Sequence, residues 1–250
     1  MIYDRKDGVV TLATLLLMLV IPVSAQMKEY PRWFIFPGEY PGLITGLTNK
    51  GITSLEDAAI TATAYKKCIV DGSLYFISKE DITFPHRASD YFYYYPEDEY
   101  LNLLKQLHPV DSLVTNVIKG ESIAAFSTDS VSGRVKERVR AGDLRRPDWL
   151  GQPVMNRDGY YWSVGKYPSK GNENDAWRTA EERAIFAALL TLDIEVNSST
   201  TIDNTVHKAD EYKKVIEFKV KKILRDISVI ERYPDAREKV HFVLLRLKIE

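Results

Sequence analysis

A chain whose second half echoes its first is constrained to a fold that uses one unit twice, and this sequence carries such an echo. Pro31-Arg32-Trp33 returns as Pro147-Asp148-Trp149, 116 residues later. Behind each comes an apolar segment closed by glycine, Gly42-Leu43-Ile44-Thr45-Gly46 in one half and Tyr160-Tyr161-Trp162-Ser163-Val164-Gly165 in the other. A polar loop follows, then an alanine-rich stretch. Glu56-Asp57-Ala58 through Ala62 aligns with Asn174-Asp175-Ala176 through Ala180 at a spacing of 118. Four features in the same order are a stronger signal than one repeated Pro-x-Trp, and they read as an internal duplication.

Each alanine-rich stretch has the marks of a helix. Thr53 and Ser54 precede Glu56 and Asp57, the spacing at which a hydroxyl and a carboxylate satisfy the first free backbone N–H groups. Asn174 is the expected cap of the second helix, with Ala176, Ala180, Ala184, Ala187 and Ala188 as a stripe of small side chains. Glu181, Glu182 and Arg183 lie off that stripe and read as a solvated face. Both halves close on paired apolar runs: Val114–Ile118 with Ser122–Phe126, and Ile227–Glu231 with Val240–Leu247, each joined by a polar turn. Lys208–Lys222 fits a strand by the alternation of Ile216, Phe218 and Val220, and a helix by its length and charge. The predicted class is α+β, with two related lobes, each an antiparallel sheet packed by an Ala-rich helix. The first lobe spans 26–126 with an aromatic insertion near 81–110, and the second spans 147–250. Between them 127–146 reads as a solvated linker whose basic end offers, as the alternative, contact with an anionic partner.

The first 25 residues differ from the rest. Val9–Val23 is apolar but for Thr11 and Thr14, and Val23-Ser24-Ala25 ends it as a signal peptidase site, with cleavage between Ala25 and Gln26. The run is short for a span of about 20 apolar residues, so no membrane span is expected after cleavage. Asp4 and Asp7 offset Arg5 and Lys6, an atypical start for a signal peptide. The expected destination is the periplasm, the outer-membrane surface or the exterior. Cys68 is the single cysteine, so an internal disulfide is excluded and a small buried hydrophobe is its simplest role. Lys plus Arg (34) balances Asp plus Glu (35), which argues against nucleic acid as a partner.

The export signal, the Pro-x-Trp entry, the strand ending in glycine, the capped Ala-rich helix and the closing apolar strand together resemble the bacterial small outer-membrane lipoprotein 20 family. They are also similar to the N-terminal domain of flagellar assembly protein T. The better match is Pro147–Lys248. The resemblance implies an envelope-associated, non-enzymatic α+β module, with no catalytic residues to carry over. Gln26 stands where the lipoproteins have their acylated cysteine.

Catalytic constellations are sparse. His86, His108, His207 and His241 are scattered without metal-ligand spacing, and no phosphate-cradling glycine loop is present, so neither metal nor cofactor is expected. Gly120-Glu121-Ser122-Ile123-Ala124 approximates a nucleophile elbow, with His207 or His241 as a remote base, but a strand after Ser122 would make it a hairpin. Tyr91, Tyr93, Tyr94 and Tyr95 form, with Phe92, an aromatic run that suits strand packing, a surface for a protein partner, or a glycan site. The expectation is an exported interaction or scaffold protein that binds envelope or secreted proteins. The alternatives are a carbohydrate-binding protein using Tyr91–Tyr95 and, third, a serine esterase at Ser122.

Overall fold

The computed structural model describes residues 28–49, 51–79, 82–86, 91–130, 135–169, 171–196, 203–208 and 211–250, with the backbone alone along 72–92 and 192–220. The leader, with Ala25 and Gln26, lies outside the described residues. The fold is α+β with antiparallel sheets, as expected from the sequence.

In the first unit, strand β2 (Ile44–Leu47) leads into helix α2 (Ser54–Lys66), and the unit closes on β6 (His108–Asn116) and β7 (Glu121–Ser127). The second unit runs β10 (Tyr160–Pro168), α4 (Glu173–Val196), β12 (Glu211–Asp235) and β13 (Val240–Ile249). The strand orders are β2-β7-β6 and β10-β13-β12, the same arrangement twice. Register agrees as well: Gly46 faces Ala124, and 119 residues on, Gly165 faces Val243. Both closing hairpins carry a bulge at the same place, between Pro109 and Asp111 in β6 and between Val229 and Glu231 in β12. Their turns match too, since Gly120 (φ 64°) and Lys239 (φ 53°), 119 residues apart, take the same left-handed conformation.

The repeated tryptophans now have a role. Trp33, on helix α1 (Arg32–Ile35), donates its indole N–H to Asp111 Oδ2 at 2.8 Å, and Trp149 donates to Glu231 Oε2 at 2.8 Å. Each acid is the residue that follows the bulge, where an extra residue re-aims the strand's side chains.

The helices lie against the sheets where a side chain would not fit. A methyl group on Gly46 would fall 1.8 Å from the Ser54 carbonyl, and one on Gly165 would fall 1.9 Å from the Ala180 carbonyl. Thr53 caps α2 with the reciprocal Glu56 bond, as its sequence predicts. At α4 the expectation needs correction. The capping oxygen is that of Asn172, which accepts from the N–H groups of Asn174 and Asp175. Asn174 itself is buried and crosses to the first unit, donating to the carbonyls of Thr48 (2.8 Å) and Ser122 (3.0 Å).

Between α2 and β6 the first unit adds β3 (Lys67–Lys79), β4 (Ile82–His86), β5 (Tyr91–Tyr94) and helix α3 (Glu97–Gln106), so the insertion begins ahead of residue 81. β3 leaves its own unit and pairs with β12 from Lys67↔Arg225 to Lys79↔Lys213. Lys208–Lys222 is thereby resolved as strand over 211–222. With β11 (Asp203–Lys208), β5 and β9 (Met155–Arg157), the result is an eight-stranded sheet. β12 has 25 residues, about 80 Å at roughly 3.3 Å each, and β13 joins it only from Leu224 onward. Beyond that point β11, β12, β3 and β4 form a four-stranded arm with β4 and β11 as its outer edges.

The two units share an interior. One cluster joins Trp33, Phe34, Leu47 and Ile123 of the first to Trp177, Ala180 and Val243 of the second. Cys68 and Val70 pack with Ile185, Leu189, Leu224 and Leu245 under α4. The stretch expected as a linker is also built in. β8 (Arg138–Arg140) pairs with β1 (Glu29–Pro31), and three basic residues of the stretch are ion-paired: Arg138 with Asp111, Arg140 with Glu29, and Arg146 with Asp235 and Glu238.

A cleft between two equivalent hairpin turns

Residues of both matching turns, β6–β7 and β12–β13, line one cleft of about 710 Å³. Asn116 and Asp235, 119 residues apart, both line it, and each closes its own turn. Asn116 Oδ1 accepts from the Lys119 N–H, and Asp235 Oδ1 accepts from the N–H groups of Arg237 and Glu238. The floor holds Tyr30, Glu173 and His241. Tyr30 donates its hydroxyl to Glu173 Oε1 at 2.5 Å, Lys28 is ion-paired to the same carboxylate, and burial pushes the Tyr30 phenol well above its usual range. His241 stacks on Trp177, with ring centroids 4.0 Å apart, and its enclosed Nδ1 has no hydrogen-bond partner among the described residues. Burial, with a smaller contribution from Lys28, pulls its pKa down to about 3 and keeps the imidazole neutral. Glu121 on the rim accepts from Asn172 at 2.8 Å. Three carboxylates and the histidine are thus each tied to structure or held out of titration, an arrangement suited to binding and poorly suited to moving protons.

Outside the cleft, the β6–β7 tip carries Val117 (85% exposed) and Ile118 (98% exposed). The equivalent tip, Ala236-Arg237-Glu238-Lys239, bears polar side chains at most of the same positions.

A second polar cluster corrects the reading of Glu181, Glu182 and Arg183 as a solvated face. Glu181 is buried, accepting from Arg232 Nη2 at 2.5 Å, from Arg178 Nη1 at 2.5 Å and from the Tyr65 hydroxyl at 3.0 Å. Arg178 reaches Asp57 on α2, and Arg232 donates to the Phe34 carbonyl. Burial alone would raise the Glu181 carboxyl, but the two guanidinium groups outweigh it and hold it below the usual range. Helical spacing did place Glu181 off the alanine stripe. The strand that covers its other side, β12, places Arg232 there from 51 residues away and left no local signal.

The other residues singled out by sequence fall as follows. Tyr93 and Tyr95 turn toward the core under α4, Tyr94 is 55% exposed, and the Tyr91 side chain lies outside the described residues. Neighbours on a strand point to opposite faces, so Tyr93 and Tyr94 do not form one stacking platform. Ser122 sits in strand β7, bonded to Thr48 Oγ1 at 2.9 Å, and strand rather than helix follows it, which is hairpin geometry. Cys68 is buried, and burial raises its thiol to about 12. His108 is exposed, while the side chains of His86 and His207 lie outside the described residues. Among the described residues no cluster of three metal-ligating side chains occurs, and no helix is long and apolar enough to cross a membrane. No protein-family model, curated protein or solved structure matches the chain.

Proposed function

We propose that this chain is an exported, non-enzymatic interaction or scaffold module of the bacterial cell envelope, in which a rigid doubled body carries a strand-edged arm to its partners. The observation that carries the reading is the arm. Among the described residues β4 and β11 have a strand neighbour on one side only. An open strand edge exposes unpaired backbone N–H and C=O groups, and natural proteins either guard such edges or use them to add a strand from a partner. The apolar leader and its Ala25–Gln26 junction support export, and the resemblance of 147–248 to outer-membrane lipoproteins points the same way. The cleft adds support on the non-enzymatic side, because its acids and its histidine already serve the fold.

The test is capture of envelope proteins by the purified chain, set beside a variant carrying Thr83→Pro in β4 and Thr205→Pro in β11. Both positions lie in one row across the arm. Proline removes the donor at each edge while leaving the body alone. Reproducible partners lost in the variant, with unchanged thermal unfolding, support the proposal. Absence of any reproducible partner, or partners indifferent to both prolines, refutes it.

A further inference from the structure

The two equivalent turns act as a control on one another. They share their left-handed residue, their closing Asx bond and their place in the hairpin. The fold therefore does not require apolar side chains at the tip, since the second copy is built with Ala236 and Arg237 where the first has Val117 and Ile118. Two aliphatic side chains held almost wholly in water, with Val114 on the same hairpin 58% exposed, are unexplained by the chain's own packing.

A lipid surface is a poor match for this tip. Binding to a bilayer through a short loop draws on basic clusters and large aromatic side chains, and here the tip has one lysine with Glu121 close behind it. A protein cavity is the better match, and one lies next to the tip. Thr115, Asn116 and Glu121, which flank the tip, also line the cleft. Its lining also includes Pro234 and Ala236, and of its carboxylates Glu173 is paired with Lys28 and Asp235 with Arg146, while Glu121 on the rim is bonded to the neutral amide of Asn172. Lys119 brings the complementary charge at the end of the tip.

We propose that a second copy of this chain occupies the cleft: two molecules pair about a two-fold axis, each seating Val117 and Ile118 in the other's cleft, with Lys119 toward its acidic rim. Because tip and cleft are neighbours, one rotation satisfies both at once and the assembly closes as a dimer. The pairing needs only the purified chain and is independent of the envelope reading. A monomer that still captures envelope proteins through its arm sinks the pairing and leaves that reading intact.

Sedimentation equilibrium and light scattering of the purified chain test it. The expected result is a concentration-dependent dimer that Ile118→Asp, with Val117→Asp, converts to monomer without change in thermal unfolding, both positions being exposed. Ala236→Trp, which fills the cleft from the other turn, also gives a monomer. Mixing the tip variant with the cleft variant restores heterodimers weaker than the wild-type dimer, because one sound tip then meets one sound cleft. A wild-type monomer at all concentrations, or a dimer insensitive to these substitutions, overturns the proposal. So does a monomer that floats with phosphatidylcholine–phosphatidylglycerol vesicles through Ile118.

Discussion

At the scale of single residues, the least expected finding is a pair of groups whose titrations oppose one another. His241 is buried against Trp177 with its pKa lowered from 6.5 to about 3. The unfolded chain therefore takes up this proton first, so the stability it contributes is complete above pH 6.5 and falls as the medium is acidified. Glu182, raised by burial from 4.5 to about 7 despite Arg178 nearby, behaves in the opposite sense. The folded state keeps a proton that the unfolded state has lost, and its contribution is complete below pH 4.5 and is lost as pH rises through 7. Each slope is at most about 1.4 kcal/mol per pH unit, less for Glu182 because it is partly open to solvent. Between pH 4.5 and 6.5 they largely cancel, and urea denaturation of the wild type is expected to give a nearly flat stability profile there. Glu182→Gln is expected to expose a loss of stability on acidification, and His241→Phe a loss on going alkaline. Identical profiles for both variants would show that neither group titrates as its surroundings dictate.

Among elements, the contact that defines both units is a glycine in the first strand lying under its helix. Gly46→Ala and Gly165→Ala each place a methyl group within 2 Å of a helix carbonyl, a clash no flexible side chain can relieve. Each is expected to cost about 1–3 kcal/mol or more, read as a lowered denaturation midpoint, with the helix pushed off its sheet. These glycines, the two helices and the closing hairpins were legible because each is written in local pattern: an apolar run, a cap, alternation, a turn. The helix alignment was legible only in part. Sequence pairs the two Asp-Ala starts, whereas in space Ser54 and Ala58 take the places of Ala180 and Ala184, two turns farther along. Alanines at 176, 180, 184 and 188 repeat every turn, so the helix can shift by whole turns and present the same small surface. The pairing of β3 with β12, the burial of Glu181 and the cleft itself depend on chain segments brought together from far apart. No local pattern records such meetings.

For the whole molecule, the question raised by a doubled unit is whether either copy stands alone. The shared cluster places Trp33, Phe34, Ile35, Leu47 and Ile123 against Trp177, Ala180 and Val243, all nearly or fully buried. At about 1.5–3 kcal/mol for each large side chain, exposing that surface removes as much as the roughly 5–15 kcal/mol that holds a domain folded. Separation also breaks Arg178 from Asp57, Tyr65 from Glu181 and Arg232 from the Phe34 carbonyl, the polar contacts that tie one unit to the other. It strips β3 from β12 along its whole length. The full chain is therefore expected to unfold in one transition, coincident by tryptophan fluorescence and by far-ultraviolet circular dichroism. Fragments divided within 131–134 are expected to lack a cooperative melt when produced separately and to regain one when refolded together. A fragment from 135 onward that melts cooperatively alone, near the midpoint of the intact protein, would establish two autonomous lobes. The interior then holds the copies side by side without making either depend on the other.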